Sequence, residues 1–213
     1  AKKLVKLVKK HKAKILVNHR RRYDEEIIKL QKKINNGIIG DILQISSFYV
    51  YGILTTGTHL IDTLRMLLKD KIGDVDKVIG IKNKLNNFKP KNDINVDGYL
   101  LFKNNVLASL QSLDMKSYDN FDIILYGNKG KIEITDIGRR VLKYKIVKSP
   151  EHVGFTELSR VPIDLCKHNP RNQFGYLSKN AVSCLKNKKT LPMCDENDSL
   201  KDMDIINKLI ISS

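Results

Sequence analysis

The chain has 213 residues, 41% hydrophobic and 29% charged, which fits one or two ordinary soluble domains and excludes low-complexity disorder. Lys and Arg number 39 against 23 Asp and Glu, a net charge of +16. No run approaches the ~18 apolar residues of a membrane span, and no charged-then-apolar leader opens the sequence. In chain order, Leu4, Val5, Leu7 and Val8 fall among lysines at helical spacing and predict an amphipathic helix over 1–11. Ile15-Leu16-Val17 predicts a short strand, so this opening reads as half of a parallel β-α-β arrangement whose sheet partners are absent. Asp24 has the chemistry of an N-cap, Glu25 and Glu26 suit the positive end of a helix dipole, and Ile27, Ile28, Leu30 and Ile34 supply the stripe. Asn35-Asn36-Gly37 stops that helix, a strand follows over 42–51, and a second helix begins near Thr56–Gly57.

From 76 to 147 the pattern is mostly strands. Turns at Lys103-Asn104-Asn105 and Gly127-Asn128-Lys129-Gly130 join neighbours, and such short connections require antiparallel pairing. Asn169 and Pro170 predict the start of a helix that buries Phe174, Leu177, Ala181 and Leu185. Asp195, Glu196 and Asp198 open the last helix, with Leu200, Met203, Ile206, Leu209 and Ile210 as its stripe. The expected architecture is α+β, a mainly antiparallel open sheet with helices on one face.

Much of the positive charge sits in the first 33 residues, where Asp24, Glu25 and Glu26 are the only acids. The lysines there interleave with aliphatic residues and not with aromatic rings that could stack bases, so nucleic-acid binding is not expected. Cys166, Cys184 and Cys194 are odd in number and lack C-x-x-C spacing, which predicts free thiols in a reducing, cytoplasmic setting and no metal ribbon.

Tyr51 to Asp62 is the stretch that carries chemistry. On a helical wheel Leu60, Ile61, Leu64, Leu67 and Leu68 cluster on one side, with His59, Asp62 and Thr63 opposite. His59 and Asp62, three apart, are within reach of each other, and a carboxylate beside an imidazole fixes its tautomer and raises its basicity. Gly57 points to the apolar side and permits close packing, while Thr55 or Thr56 can cap the first turn. The alternative is a histidine that merely packs at a helix start. The loop Asn18-His19-Arg20-Arg21-Arg22-Tyr23-Asp24 follows the expected Ile15–Val17 strand, where ligand crevices form, and its guanidinium forks suit carboxylate, phosphate or sugar hydroxyls.

The run from Ile15 to Leu68 resembles the Gfo/Idh/MocA family, through V-N-H-R-R-R-Y-D, N-N-G-I-I-G-D-I and G-T-H-L-I-D-T-L-R-M-L. Further along, Y-G-N-K-G-K-I-E-I and L-K-N-K-K-T-L-P-M-C-D-E-N-D-S-L-K-D-M are similar to that family's sheet hairpin and C-terminal ending. The resemblance implies an NAD(P)-dependent oxidoreductase acting on a sugar, polyol or related hydroxy compound. It implies a dihydrodipicolinate-reductase-like C-terminal domain over 18–213, which binds substrate and oligomerises through its sheet. Residues 1–17 would be the last helix and strand of a Rossmann domain. The NAD or NADP would be bound mainly by that missing domain, since no G-x-G-x-x-G follows a strand here and the family's catalytic Lys belongs to a Lys-Pro motif of the same missing domain. By motif match His59 is the proton-transferring histidine, Asp62 contacts substrate and Arg21 reaches it, with Thr55 and Asn18 as further substrate-side residues. Thr55 stands where the family often has Asp, and no negative charge is supplied at that position. A chain of this kind is expected to be inactive alone. The competing expectation is a non-catalytic sugar-binding or assembly module of the same fold.

Overall fold

The computed structural model describes residues 1–83, 93–114, 116, 118–167, 172–187 and 189–213. The first helix, α1 (Lys2–His11), buries Val5 and Val8 but leaves Leu4 and Leu7 exposed. The strand expected at Ile15–Val17 is not formed. That segment is extended, with the Val17 amide bonded to the Cys194 carbonyl at 3.0 Å, and among the described residues no strand lies beside it to build a ladder. Lys14 instead reaches the carbonyls of Cys184 and Thr190 at 3.0 and 2.8 Å. A short 3-10 turn, Arg20–Tyr23, then leads into α2 (Glu25–Asn35). Asp24 caps that helix by accepting from the Glu26 and Ile27 amides at 3.0 and 3.3 Å.

The strands are β1 (Ile42–Tyr49), β2 (Val75–Asn83), β3 (Asn95–Phe102), β4 (Leu107–Ser112), β5 (Phe121–Gly127), β6 (Gly130–Thr135), β7 (Arg140–Tyr144), β8 (Ile146–Lys148), β9 (Thr156–Leu158) and β10 (Ile163–Lys167). Eight of them form one sheet in the order β10-β7-β6-β5-β1-β4-β3-β2, and β8 and β9 make a separate hairpin. Every neighbouring pair in the large sheet is antiparallel except β1 and β4, which run parallel with Ile45 beside Ala108. A parallel pair needs a long crossover, and here it is made by α3 (Thr58–Ile72), β2 and β3. The architecture is therefore the expected mainly antiparallel sheet with helices.

One face of the sheet carries the core, in which Ile45, Tyr49, Leu100, Leu110, Ile123 and Leu125 pack against Leu60, Ile61 and Leu64 of α3. The last helix, α5 (Glu196–Ile211), lies against β2 so closely that a Cβ on Gly80 would collide with the Leu209 carbonyl. The opposite face is open and exposes Leu43, Ile79, Ile81, Tyr99 and Tyr126.

The start expected at Asn169 and Pro170 lies outside the described residues, and α4 is seen over Asn172–Lys186. Its buried residues are Gln173 and Cys184; of the expected apolar stripe Leu177 and Ala181 are half-buried, whereas Phe174 and Leu185 are exposed. Polar anchoring sets this orientation: Gln173 donates to the second Asp24 carboxylate oxygen at 3.0 Å. The Phe174 ring lies outside, with the Arg20 guanidinium 5.5 Å above it.

Candidate functional site

The site is built where α3 begins. After β1 the backbone makes one wide turn of π type, Ile53–Gly57, closed by the Gly57 amide on the Gly52 carbonyl at 3.2 Å. Gly57 is tight against β1, as its place on the apolar side predicts: a Cβ there would lie 2.7 Å from the Ile53 side chain and 3.2 Å from the Tyr49 ring. The turn is pinned by the buried Asp93, whose carboxylate accepts from the Leu54 amide at 2.9 Å, the Thr55 amide at 3.0 Å and the Thr55 hydroxyl at 2.7 Å. The Thr55 hydroxyl is thus committed to Asp93, which brings to this spot a carboxylate that the sequence does not show at position 55.

His59 follows, half-buried, on the first turn of α3. Its Nδ1 lies 3.4 Å from Nδ1 of His19, with the rings edge to face at 5.1 Å and 78°. Burial, then the positive neighbours His19, Arg21 and Arg20, lower its pKa to about 4, so the ring is neutral at pH 7. The expected pairing of His59 with Asp62 is replaced: among the described residues, the hydrogen bond of His59 is with His19 and that of Asp62 is with Arg22. Asp62 is 1% exposed and accepts from Arg22 Nε at 2.7 Å. The same guanidinium meets Asp198 at 2.9 Å, and it is held above its ordinary pKa because Asp62 outweighs the lowering effect of burial.

The polar side of α3 is therefore not a bare wall but the floor of a buried ion cluster. Arg65, also buried, reaches Asp202 of α5 through Nη1 and Asp74 through Nε at 3.3 Å. His19 sits between the two acids, its Nε2 3.7 Å from Asp202 and its Nδ1 3.9 Å from Asp62. Burial and the neighbouring Asp62 raise the Asp202 carboxyl to about 7, and burial raises Asp62 against the pull of Arg22. His19 and Arg22 were expected only as members of a ligand-gripping loop, and Arg22 instead grips Asp62 and Asp198 of the protein itself; Arg65 and Asp202 had no assigned role. The legible signal was Asp202 and Arg65 within apolar stripes, Asp202 aligned with Ile206 and Leu209, and Arg65 with Ile61 and Leu68.

Arg21 lies beside this cluster with its guanidinium stacked 3.4 Å over the Phe121 ring and its Nε buried without a hydrogen-bond partner. Burial, then Arg20, lower it to about 10. Asn18 is exposed on the outside of the loop. His19, Asp62 and Cys194 place three donor atoms within 4.8 Å of one another. Arg22 and Arg65 already supply the positive charge that these acids need, and burial pushes the Cys194 thiol up, so the cluster does not suit a divalent ion. A dinucleotide's phosphates do not fit the opening of α3 either. The glycine-flanked opening of α3 holds the Asp93 carboxylate on its free amides, and a Cβ on Gly52 would strike that carboxylate. Among the described residues no helix is long and apolar enough to cross a membrane.

Comparison with family models and with curated proteins finds no match. Solved structures do match. The super-repressor mutant of Gal80p from Saccharomyces cerevisiae superposes with a TM-score of 0.75 at 14% identity, covering 100% of this chain and 67% of that one. The WlbA dehydrogenase from Bordetella pertussis, in complex with NADH and UDP-GlcNAcA, gives 0.74 at 14%, with coverages of 99% and 65%. Aldose-aldose oxidoreductase from Caulobacter crescentus, complexed with glycerol, gives 0.69 at 16%, with coverages of 98% and 64%. The chain thus spans about two thirds of the length of these structures. What they share with it is the fold of the C-terminal region of Gfo/Idh/MocA-type oxidoreductases, the same group that the sequence motifs resemble.

Proposed function

We propose that this chain is the substrate-binding and oligomerisation portion of an NAD(P)-dependent oxidoreductase acting on a sugar, polyol or related hydroxy compound. Residues 1–17 would then be the tail of a dinucleotide-binding domain and 18–213 the substrate domain. The observation that carries this reading is His59, a neutral imidazole at the opening of α3 whose Nδ1 is engaged by His19 and whose Nε2 has no hydrogen-bond partner among the described residues. In that role His59 accepts the hydroxyl proton, and Arg21, beside it, contacts hydroxyl oxygens. Asp62, closed to solvent and held by Arg22, fixes the site and does not touch the ligand. The nicotinamide, which would accept the hydride, would be held by a segment outside this chain. Solved structures of the same fold bound to UDP-GlcNAcA or glycerol support a hydroxyl-rich ligand, and the open apolar sheet face supports a homo-oligomer.

A second reading is a non-catalytic sugar-binding or assembly module. It is favoured by the engagement of Thr55 with Asp93 and by the likeness to Gal80p, described as a super-repressor mutant. Calorimetry on the chain, with a panel of aldoses and polyols and with NADH, tests the binding half. Hydroxyl-compound binding lost in Arg21→Ala, without tight NADH binding, is expected; tight NADH binding by this chain alone overturns the division of labour. In protein that carries a nucleotide-binding portion, His59→Ala should lower turnover by roughly 10²–10⁴-fold. Unchanged turnover rejects His59 as the proton acceptor and favours the module.

A further inference from the structure

Two buried carboxylates in this fold each have one oxygen satisfied and one not. Asp62 Oδ1 accepts from Arg22 and Asp202 Oδ1 accepts from Arg65, while the Oδ2 atoms of both are buried with no N–H or O–H donor on them, the two carboxyl groups lying close enough to share a proton. A buried carboxylate oxygen left unpaired is costly. Both of these free oxygens flank one ring: Asp62 Oδ2 lies 3.9 Å from His19 Nδ1, and Asp202 Oδ2 lies 3.7 Å from His19 Nε2. The same His19 ring meets His59 through Nδ1 at 3.4 Å. His59, His19 and Asp202 therefore form a row from the half-exposed start of α3 into the interior against α5.

Resting on the proposed role of His59, we infer that His19 and the Asp202–Asp62 pair form an internal proton relay. A proton arriving at His59 Nε2 from a bound hydroxyl is matched by transfer of the His59 Nδ1 proton to His19 Nδ1. The His19 Nε2 proton then moves to Asp202 Oδ2. Each N–H bond broken is replaced by one formed on the next group, so both rings finish neutral with their tautomers exchanged and one proton rests on the carboxylate pair. His59 needs such an outlet because burial and His19 make it a weak resting place for a proton, whereas Asp202 retains one near pH 7. The other charges facing the row are Arg22 from the loop, Arg65 from α3 and Asp198 from α5, with Arg20 and Arg21 facing His59. Arg22, Arg65 and Lys201 stand against Asp62, Asp198, Asp202 and Asp74, which leaves a single excess negative charge that one proton cancels. The gaps of 3.4 Å and 3.7 Å close to hydrogen-bond length by displacements of under an ångström, within ordinary side-chain motion.

Side-chain ¹⁵N–¹H spectra of the histidines in the 213-residue chain, recorded across pH without ligand or nucleotide, test the relay. The wild type should show His59 carrying its proton on Nδ1 in slow exchange, with His19 and His59 nitrogen shifts changing together at one midpoint set by Asp202. Asp202→Asn should abolish that shared midpoint, and His19→Gln should make the His59 Nδ1 proton exchange faster. If Asp202→Asn unfolds the chain, His19→Gln alone decides. Histidines that titrate independently, or a His59 proton whose exchange is unchanged in His19→Gln, overturn the relay. That outcome leaves the ligand-binding reading to the calorimetry, which does not depend on it.

Discussion

The Nδ1 atoms of His59 and His19 face each other at 3.4 Å although the residues are 40 apart in sequence. One of the two nitrogens must donate and the other accept, so at least one ring is neutral. Burial lowers both rings, with His59 at about 4 against an unfolded value of 6.5. The sign follows directly: the unfolded chain binds the proton first as pH falls, so stability contributed by neutral His59 is full above about pH 6.5 and is lost on acidification toward pH 4. Asp202 has the opposite sign. Its carboxyl is raised to about 7, so its contribution is complete below the unfolded value of 3.8 and is lost as pH rises through 7. Urea denaturation at stepped pH should therefore show His59→Phe flattening the loss of stability between pH 6.5 and 4. Asp202→Asn should gain on the wild type as pH rises to 7. A pH-independent difference between either variant and the wild type contradicts these assignments.

Arg22 is the tie between the loop and both helices of the cluster, at 2.7 Å from Asp62 and 2.9 Å from Asp198. Removing one partner of a buried ion pair leaves the other charged and unsolvated, a loss of about 3–5 kcal/mol. Arg22→Met should cost that much in chemical denaturation. Arg22→Lys should recover only part of it, because an ammonium cannot present two fixed donors to two carboxylates. Full stability in Arg22→Lys would mean that the fork geometry contributes nothing.

The elements whose signals are local were legible in the sequence. Asp24 caps α2 through amides two and three residues ahead, and the hairpin at Gly127–Gly130 pairs its strands as the short turn requires. Apolar spacing was a poorer guide where a helix is held by polar contacts: Gln173 turns α4 toward Asp24 and leaves Phe174 outside. The strand expected at Ile15–Val17 fails because apolar β-formers need a strand to pair with, whereas Val17 donates to the Cys194 carbonyl and accepts from the His19 amide and the Tyr23 hydroxyl. In the candidate site, the spacing of His59 and Asp62 correctly placed both on the polar side of α3. It could not choose their partners, because His19, Arg22 and Asp202 come from a loop and a helix far away in sequence. A neighbour at i+3 is available on any helix; whether it is used depends on what else the fold brings closer.

Asp93 is the clearest case of a distant residue supplying what the local sequence lacks. The opening of α3 has no N-cap side chain of its own, since Gly57 precedes Thr58, and the orphan amides of the preceding turn fall to Asp93 through two backbone bonds and the Thr55 hydroxyl. Loss of a capping carboxylate costs about 0.5–2 kcal/mol, and here the removal also leaves a gap against Gly52. Asp93→Ala should therefore destabilise the chain by roughly that amount and speed hydrogen exchange at the Leu54 and Thr55 amides, with the strands β5 and β6 unaffected. Asp93→Asn keeps one acceptor oxygen and should lie between the two. Since His59 sits four residues beyond Thr55, loosening this turn should also release the His59 ring from His19, which the loss of the slow-exchanging Nδ1 proton reports. Faster exchange at Leu54 and Thr55 with the His59–His19 contact intact would show instead that Asp93 holds only the turn and that the histidine pair is positioned by α3 and the Arg-rich loop alone.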